Sequence, residues 1–336
     1  KVDYKGLNTY EYLKKVQKEY LESNEVKQKG NLEHSDPYSE RADHIIEGLM
    51  GVECGTDAKN LCPQVYNSME VSWQSGDSNM ILMKRSYIDI LEDEFKKEID
   101  TNIKYNIEIN KVILNKEGKE YDSVTLETSK GAKQGPFDYV ISSLPVPVLR
   151  EIQFEPQLSD SKLQALNILT HDDTAKLILK FKKKFWPDDL AIKYIESKIP
   201  TWWPSGKEDQ RTEFLLTGMT SGENCRYMDC LFKQNEKEFI ELAISDLERV
   251  YKINIRKLLL GYYWYNWKND KYAKGGYTYH TMKEDNSREE LRKSHLGKVL
   301  FCGDALSRFG HISTVHGAYD TGKVTAKELL EVIRSK

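Results

Sequence analysis

The sequence predicts a mixed α/β fold, and three observations carry the prediction. Helix-period and strand-period apolar segments succeed one another along the chain instead of falling into separate blocks. A continuous apolar run, "FDYVISSLPVPVL", ends in a proline segment at Pro145, which suits a strand buried on both faces. The chain closes on "VLFCGDALSRFGHISTVHGAYDTGKVTAKELLEVI", residues 299–333, which reads as a buried strand, a polar loop and an amphipathic helix. At 336 residues the chain is long enough for two domains or one large one.

Each element follows from its residues. Residues 8–23 put Thr9 as N-cap ahead of Tyr10, Leu13, Val16 and Tyr20, the spacing of an amphipathic helix. Residues 27–80 are polar and irregular, with a second helix around Ala42–Met50. From Tyr87, "YIDILEDEFKKEI" is helical and leads into the strand "YNIEINKVILN", and "SVTLETS" pairs back with that strand as a hairpin. "AKLILKFKKKFW" is a strand with Leu177, Leu179 and Phe181 on one face, "EFIELAISDLERVY" a helix and "LLLGYYWYNW" a strand. Strands near 107–145 and 299–303 are expected to share one sheet.

Composition excludes several classes. Charged residues make up 31% of the chain, yet the net charge is only −3 and both signs are interspersed, so nothing marks a nucleic-acid or membrane-surface binder. No apolar run approaches the ~20 residues that span a bilayer. Five cysteines, an odd number without CxxC spacing, give neither a disulfide framework nor a metal site. The lack of an Asn-x-Ser/Thr acceptor favours an intracellular protein, and because the chain opens on Lys1 the absence of a leader carries no weight.

The closing unit carries the chemistry. Gly303 lets a backbone approach a ligand after the strand, and Asp304 suits a hydrogen bond from a ribose or ribityl hydroxyl. The helix opening near Thr314–Gly317 offers unpaired N–H groups to an electron-rich group. On these residues alone, an ordinary strand–loop–helix with Asp304 in a turn is the simpler reading. No Gly-x-Gly-x-x-Gly opens a nucleotide-binding unit upstream: Gly6, Gly30, Gly48, Gly51 and Gly55 lack the spacing.

Four blocks, in order between about residues 80 and 333, resemble the flavin-containing amine oxidases. "GDALSRFGHISTVHGAYDTG" is similar to the family's closing segment, and "FDYVISSLPVPVL" with "IQFEPQLSDSKLQAL" to its strand–Leu–Pro segment and the Phe-x-Pro run after it. "TAKLILKFKKKFW" resembles the family's lysine-bearing strand, and "NWKNDKYAKGGYTYHT" its Trp-x-x-Asp…Gly-x-Tyr segment. Thr-Val-His-Gly-Ala and Gly-x-Tyr-x-Tyr look most like the polyamine oxidase and lysine-specific demethylase branch.

The resemblance implies a two-domain fold and a set of roles. Lys176 matches the lysine that holds a water against flavin N5, although by pattern alone it reads as a strand-end lysine reaching for water. Tyr277 matches the aromatic residue that flanks the amine, and the second wall of that cage falls on Thr314. Trp267, Tyr272 and Gly276 match positions packed on the flavin, Val315 and Ala318 the turn at its pyrimidine end, and Gly303 and Asp304 the closing turn. Val112 matches the valine whose backbone meets the adenine, with Leu144 and Pro145 nearby. Trp202 and Trp203 are candidates for a substrate channel or for plain packing. Gly276 stands where some relatives carry a flavin-attaching cysteine, so the resemblance implies non-covalent FAD.

In the family's terms, residues 1–100 are substrate-domain helices leading into the FAD domain. Residues 101–150 are FAD-domain strands, 151–265 the substrate-binding domain, and 266–336 the closing strand and helix of the FAD domain. The implied reaction takes hydride from an amine to the flavin, hydrolyses the imine and reduces O₂ to H₂O₂. The expected partner is a second chain or fragment carrying the glycine-motif half. A truncated chain and a non-catalytic subunit that keeps the fold are the competing explanations. An L-amino-acid oxidase would need a cation for the carboxylate, for which Arg85, Arg211 and Arg226 are available.

Overall fold

The computed structural model describes residues 6–22, 46–64, 86–99, 102–205, 214–283, 286–307 and 311–335. The first helix, Thr9–Glu22, begins where Asn8 and Glu11 cap each other's backbone N–H groups, both at 2.9 Å. Thr9, the expected cap, is buried instead, and its hydroxyl donates to the Leu61 carbonyl at 3.0 Å. Asparagine with a glutamate three residues on is the stronger signal, one position earlier. The helix expected over Ala42–Met50 is described only from residue 46: a π-helical turn, Glu47–Gly51, runs into the short helix Val52–Cys54. Ser86 and Asp89 cap the helix Tyr87–Ile99 reciprocally at 3.2 Å.

The expected hairpin forms from β1 (Ile109–Glu117) and β2 (Glu120–Thr128). β3 (Lys133–Phe137) extends it on one side, and after β4 (Val140–Ser142) and the helix Val146–Leu149, β5 (Gln153–Glu155) joins β1 in parallel. The run 137–149 is therefore not a strand buried on both faces. Only three residues are extended, Ile141 is exposed, and Pro145 and Pro147 turn the chain into the helix that follows.

β6 (Thr174–Phe181), β7 (Lys193–Tyr194), β8 (Thr201–Ser205), β9 (Phe214–Ser221) and β10 (Leu259–Asn266) form a five-stranded antiparallel sheet, in the order β10-β6-β9-β8-β7. The helices Gly222–Gln234 and Glu236–Tyr251 supply Met228, Phe239 and Leu247 to its core. Leu177, Leu179 and Phe181 are fully buried there, as their alternation predicted. Each such burial contributes roughly 1.5–3 kcal/mol, which holds β6 in register. The same period of two turns Lys176 to the opposite face.

β11 (Val299–Phe301) pairs in parallel with β4, Val140 opposite Val299. The single sheet expected over 107–145 and 299–303 is thus two: β4 and β11 are hydrogen-bonded to each other and not to the β1 sheet. Both sheets contribute to a second core with Val112, Leu114, Val124 and Phe301. Leu158, Ala165, Leu166 and Leu169 join this core, although the sequence grouped them with 151–265. Lys162, buried in the helix Asp160–Ile168, donates to the carbonyls of Glu290 (2.7 Å), Leu291 (3.1 Å) and Lys293, where the helix Ser287–Arg292 ends. The long helix Val315–Arg334 closes the described chain. No helix among the described residues is long and apolar enough to cross a membrane.

Candidate active site

A cavity of about 390 Å³ opens on the face of the five-stranded sheet turned away from its helices. Lys176 on β6, Met219 on β9 and Trp203 on β8 form its floor. The short helix brings Glu53 and Cys54 to one wall, Tyr277, Tyr279 and His280 stand on another, and Ile312 and Ser313 on a third. Of the described residues that line it, only Lys176 is cationic and only Glu53 is acidic.

Lys176 Nζ lies 5.6 Å from the centre of the Trp203 ring. Among the described residues it has no carboxylate partner and no hydrogen-bond acceptor. Burial lowers its pKa from the usual lysine range. The Tyr277 hydroxyl donates to the Val52 carbonyl at 2.6 Å and lies 3.1 Å from that of Glu53. Burial first, then the neighbouring Cys54 and Glu53, drives the Tyr277 phenol well above its usual range, so Tyr277 is a neutral wall and not a base. Burial also pushes the Cys54 thiol up to about 12, which makes it inert.

Beyond the cavity stand the residues expected to meet a cofactor. Leu144, Trp267, Tyr272 and Val315 are apolar or aromatic, yet 40, 40, 62 and 61% exposed. Each leaves apolar surface in water that a bound group could cover. Gly276 sits so close to Thr174 that a Cβ there would lie 2.3 Å from Oγ1, leaving no room for an attaching cysteine. The turn at Gly303 (φ +130°) is held by Thr321, whose hydroxyl accepts from the Gly303 N–H at 3.0 Å. Asp304 opens the short 3₁₀ turn that follows, and burial raises its carboxyl pKa. Val112 is buried in the second core; Pro145 and Ala318 are half-buried. A larger hollow, about 650 Å³, runs along the closing helix past Leu300, Ser307, Thr321 and Val324.

Not every expected residue reaches the cavity. The Thr314 side chain caps the closing helix, accepting from the Gly317 N–H at 3.0 Å and donating to the His311 carbonyl at 2.8 Å. Its neighbours Ile312 and Ser313 line the cavity in its stead. Trp202 is core, its indole donating to the Ile199 carbonyl at 2.7 Å, whereas Trp203 lines the cavity. Arg226 is engaged by Asp57, Asp172 and Asp173 at 3.3, 2.6 and 3.2 Å, and Arg85 and Arg211 lie outside the described residues. Sequence reasoning missed Glu53, Met219 and Thr321. Glu53 belongs to a helix of three residues too short to show a period; Thr321 shows only as a polar residue on the face that carries Gly317 one turn earlier.

The model of the flavin containing amine oxidoreductases matches residues 20–330. Polyamine oxidase 2 of Arabidopsis thaliana is 24% identical over 250 residues, covering 74% of this chain and 48% of its own length. An L-amino-acid oxidase of Vipera ammodytes ammodytes is 24% identical over 244 residues, 70% of this chain and 47% of that one. The chain thus spans about half the length of the curated relatives it matches. A putrescine oxidase A394C mutant, from a redesign of cofactor binding, superposes with a TM-score of 0.76 at 16% identity over 98% of this chain and 68% of that one. That likeness is one of fold.

Proposed function

The chain belongs to the flavin-containing amine oxidoreductase family, and from that premise we propose that it forms the amine-oxidising part of an FAD-dependent oxidase. Its substrate is a polyamine-like or other primary or secondary amine, its FAD is held without a covalent bond, and its co-product is H₂O₂. The observation that carries the proposal is Lys176: a half-buried ammonium in the floor of a cavity that Tyr277 walls, with no protein acceptor among the described residues. A lysine drawn from water without a carboxylate costs stability, and a ligand or ordered water at its donors accounts for it.

A bound flavin supplies the acceptor for hydride from the carbon beside the nitrogen and passes the electrons to dioxygen. Tyr277, neutral and pinned by two carbonyls, offers a ring face that confines a small amine and excludes water. Lys176 holds a water or proton donor at the cavity floor. Leu144, Trp267, Tyr272, Val315 and Ala318 would hold the flavin, Gly303 and Asp304 its ribityl part, and the missing side chain at Gly276 keeps the attachment non-covalent. Thr314 acts by setting the start of the closing helix. The amino-acid-oxidase reading draws less support, because Arg226 is committed to three carboxylates and no arginine of the described residues lines the cavity.

A glycine-motif half, from a second chain or fragment, completes the FAD site in this proposal. Ile141, Leu144, Val324 and Val332 are exposed beside β4 and β11, and β11 has one strand partner among the described residues. Those apolar side chains and that open edge suit a further parallel strand. The test is an absorbance spectrum and intact-mass analysis of native material, followed by a peroxide assay over monoamines, diamines and L-amino acids. Flavin bands with peroxide from amines support the proposal. Absence of flavin from material that contains every native chain overturns it in favour of a non-catalytic subunit.

A further inference from the structure

Seven lysines of the described chain place their ammonium groups over aromatic rings, and three of them, Lys162, Lys176 and Lys298, are drawn in from the surface. Lys162 Nζ is 5.1 Å from the Phe301 ring and Lys298 Nζ 4.7 Å from that of Tyr139. Both also give their N–H groups to backbone carbonyls: Lys162 to three, Lys298 to those of Asp122 (2.5 Å) and Asp138 (3.3 Å). Lys176 has the ring of Trp203 and no acceptor among the described residues. We propose that Trp203 is a positioning residue for Lys176, its indole face fixing the ammonium at the cavity floor while leaving the N–H donors to whatever occupies the cavity.

The physical argument is one of competing anchors. A free lysine side chain is rich in rotamers, so an unanchored ammonium wanders. A carboxylate anchor would neutralise the charge and occupy the donors. An indole face attracts the cation through its quadrupole and takes no directional hydrogen bond. The ring is carried by a fixed strand: Trp203 faces Thr217 in the β8–β9 register, next to the fully buried Trp202. Glu53, Cys54 and Cys62 from the N-terminal segment and Tyr277, Tyr279 and His280 beside them face the same cavity, and Tyr265 is the register partner of Lys176 on β10.

The inference rests on the proposed role of Lys176 for its kinetic consequence, but its physical core is tested without turnover. Lysine labelled with ¹³C at Cε is titrated in the full flavin-loaded protein, with the Lys176 signal assigned by its loss in Lys176→Met. An indole above the ammonium shifts that signal upfield and raises its apparent pKa. Trp203→Leu should abolish the upfield shift and lower the pKa by about half a unit to one unit, and Trp203→Phe should restore part of each. In stopped-flow reduction by an amine, the Lys176-dependent limb of the pH profile should move by the same amount, with kcat changed more than KM. A Lys176 signal that Trp203→Leu leaves unmoved overturns the inference, as does a KM change with an unmoved pH profile. If no amine reduces the flavin while the signal moves as stated, the proposed reaction fails and the positioning contact stands.

Discussion

Lys162 sits in the second core and Lys176 on the cavity face of the five-stranded sheet, and each has been drawn out of water against an aromatic ring. Around Lys162, three carbonyls at a helix end take up the donors, so the charge is part of the scaffold. Around Lys176 the described residues supply no acceptor, and the strand that carries it is held by Leu177, Leu179 and Phe181 instead. The difference separates a lysine that stabilises from a lysine that is itself held in place. Burial alone does not distinguish them; the fate of the N–H groups does.

The comparison can be broken at four points. Lys162→Met should cost roughly 3–5 kcal/mol in urea unfolding, because three carbonyls lose a charged donor at once. A loss below about 1 kcal/mol would make the two lysines alike. His171 is a sharper case, buried with neither ring nitrogen bonded among the described residues, and burial together with Arg150, Arg288 and Lys268 holds its pKa at about 4. The unfolded chain takes up that proton near 6.5 and the folded chain near 4. Stability is therefore full above 6.5 and falls, by up to ~3 kcal/mol, as the pH drops through that window. His171→Phe should flatten that acid slope, seen in unfolding curves from pH 4 to 7. Thr321→Val removes the hydroxyl that ties Gly303 to the closing helix and should lower stability by about 1 kcal/mol, with weaker flavin retention on gel filtration. Lys176→Met should leave stability within about 1 kcal/mol of the parent, while flavin reduction or reoxidation slows at least ~10-fold at unchanged flavin content.

What the sequence revealed follows the same division between local and distant causes. β1, β2, β6 and β10 and the closing helix were legible because their own periodicity decides them. The helix Gly222–Gln234 was not. Its first turn is served by Asp57, whose carboxylate accepts from the Glu223 N–H at 3.0 Å from 166 residues away, so no local cap announces it. β9 was hidden by Gly218, a residue that reads as a breaker. A Cβ there would lie 2.8 Å from the Trp202 ring, and the glycine is the space into which that indole packs. At the site, Lys176 and Tyr277 stood out only through the resemblance, since tyrosine is abundant and a lysine in a strand is common. Glu53 and Ser313 gave no signal, because a cavity wall has no sequence period.

The tie between the Tyr277 hydroxyl and the Val52 carbonyl spans 225 residues of chain. During synthesis, residue 52 leaves the ribosome long before residue 277 exists, and no shorter loop closes that contact. The four-stranded sheet of β1 and the strands β6, β8 and β9 with their helices can therefore consolidate while one wall of the cavity is still absent. A nascent chain of this protein passes through a stage in which the floor lysine is already placed and the chamber above it is still open to the solvent.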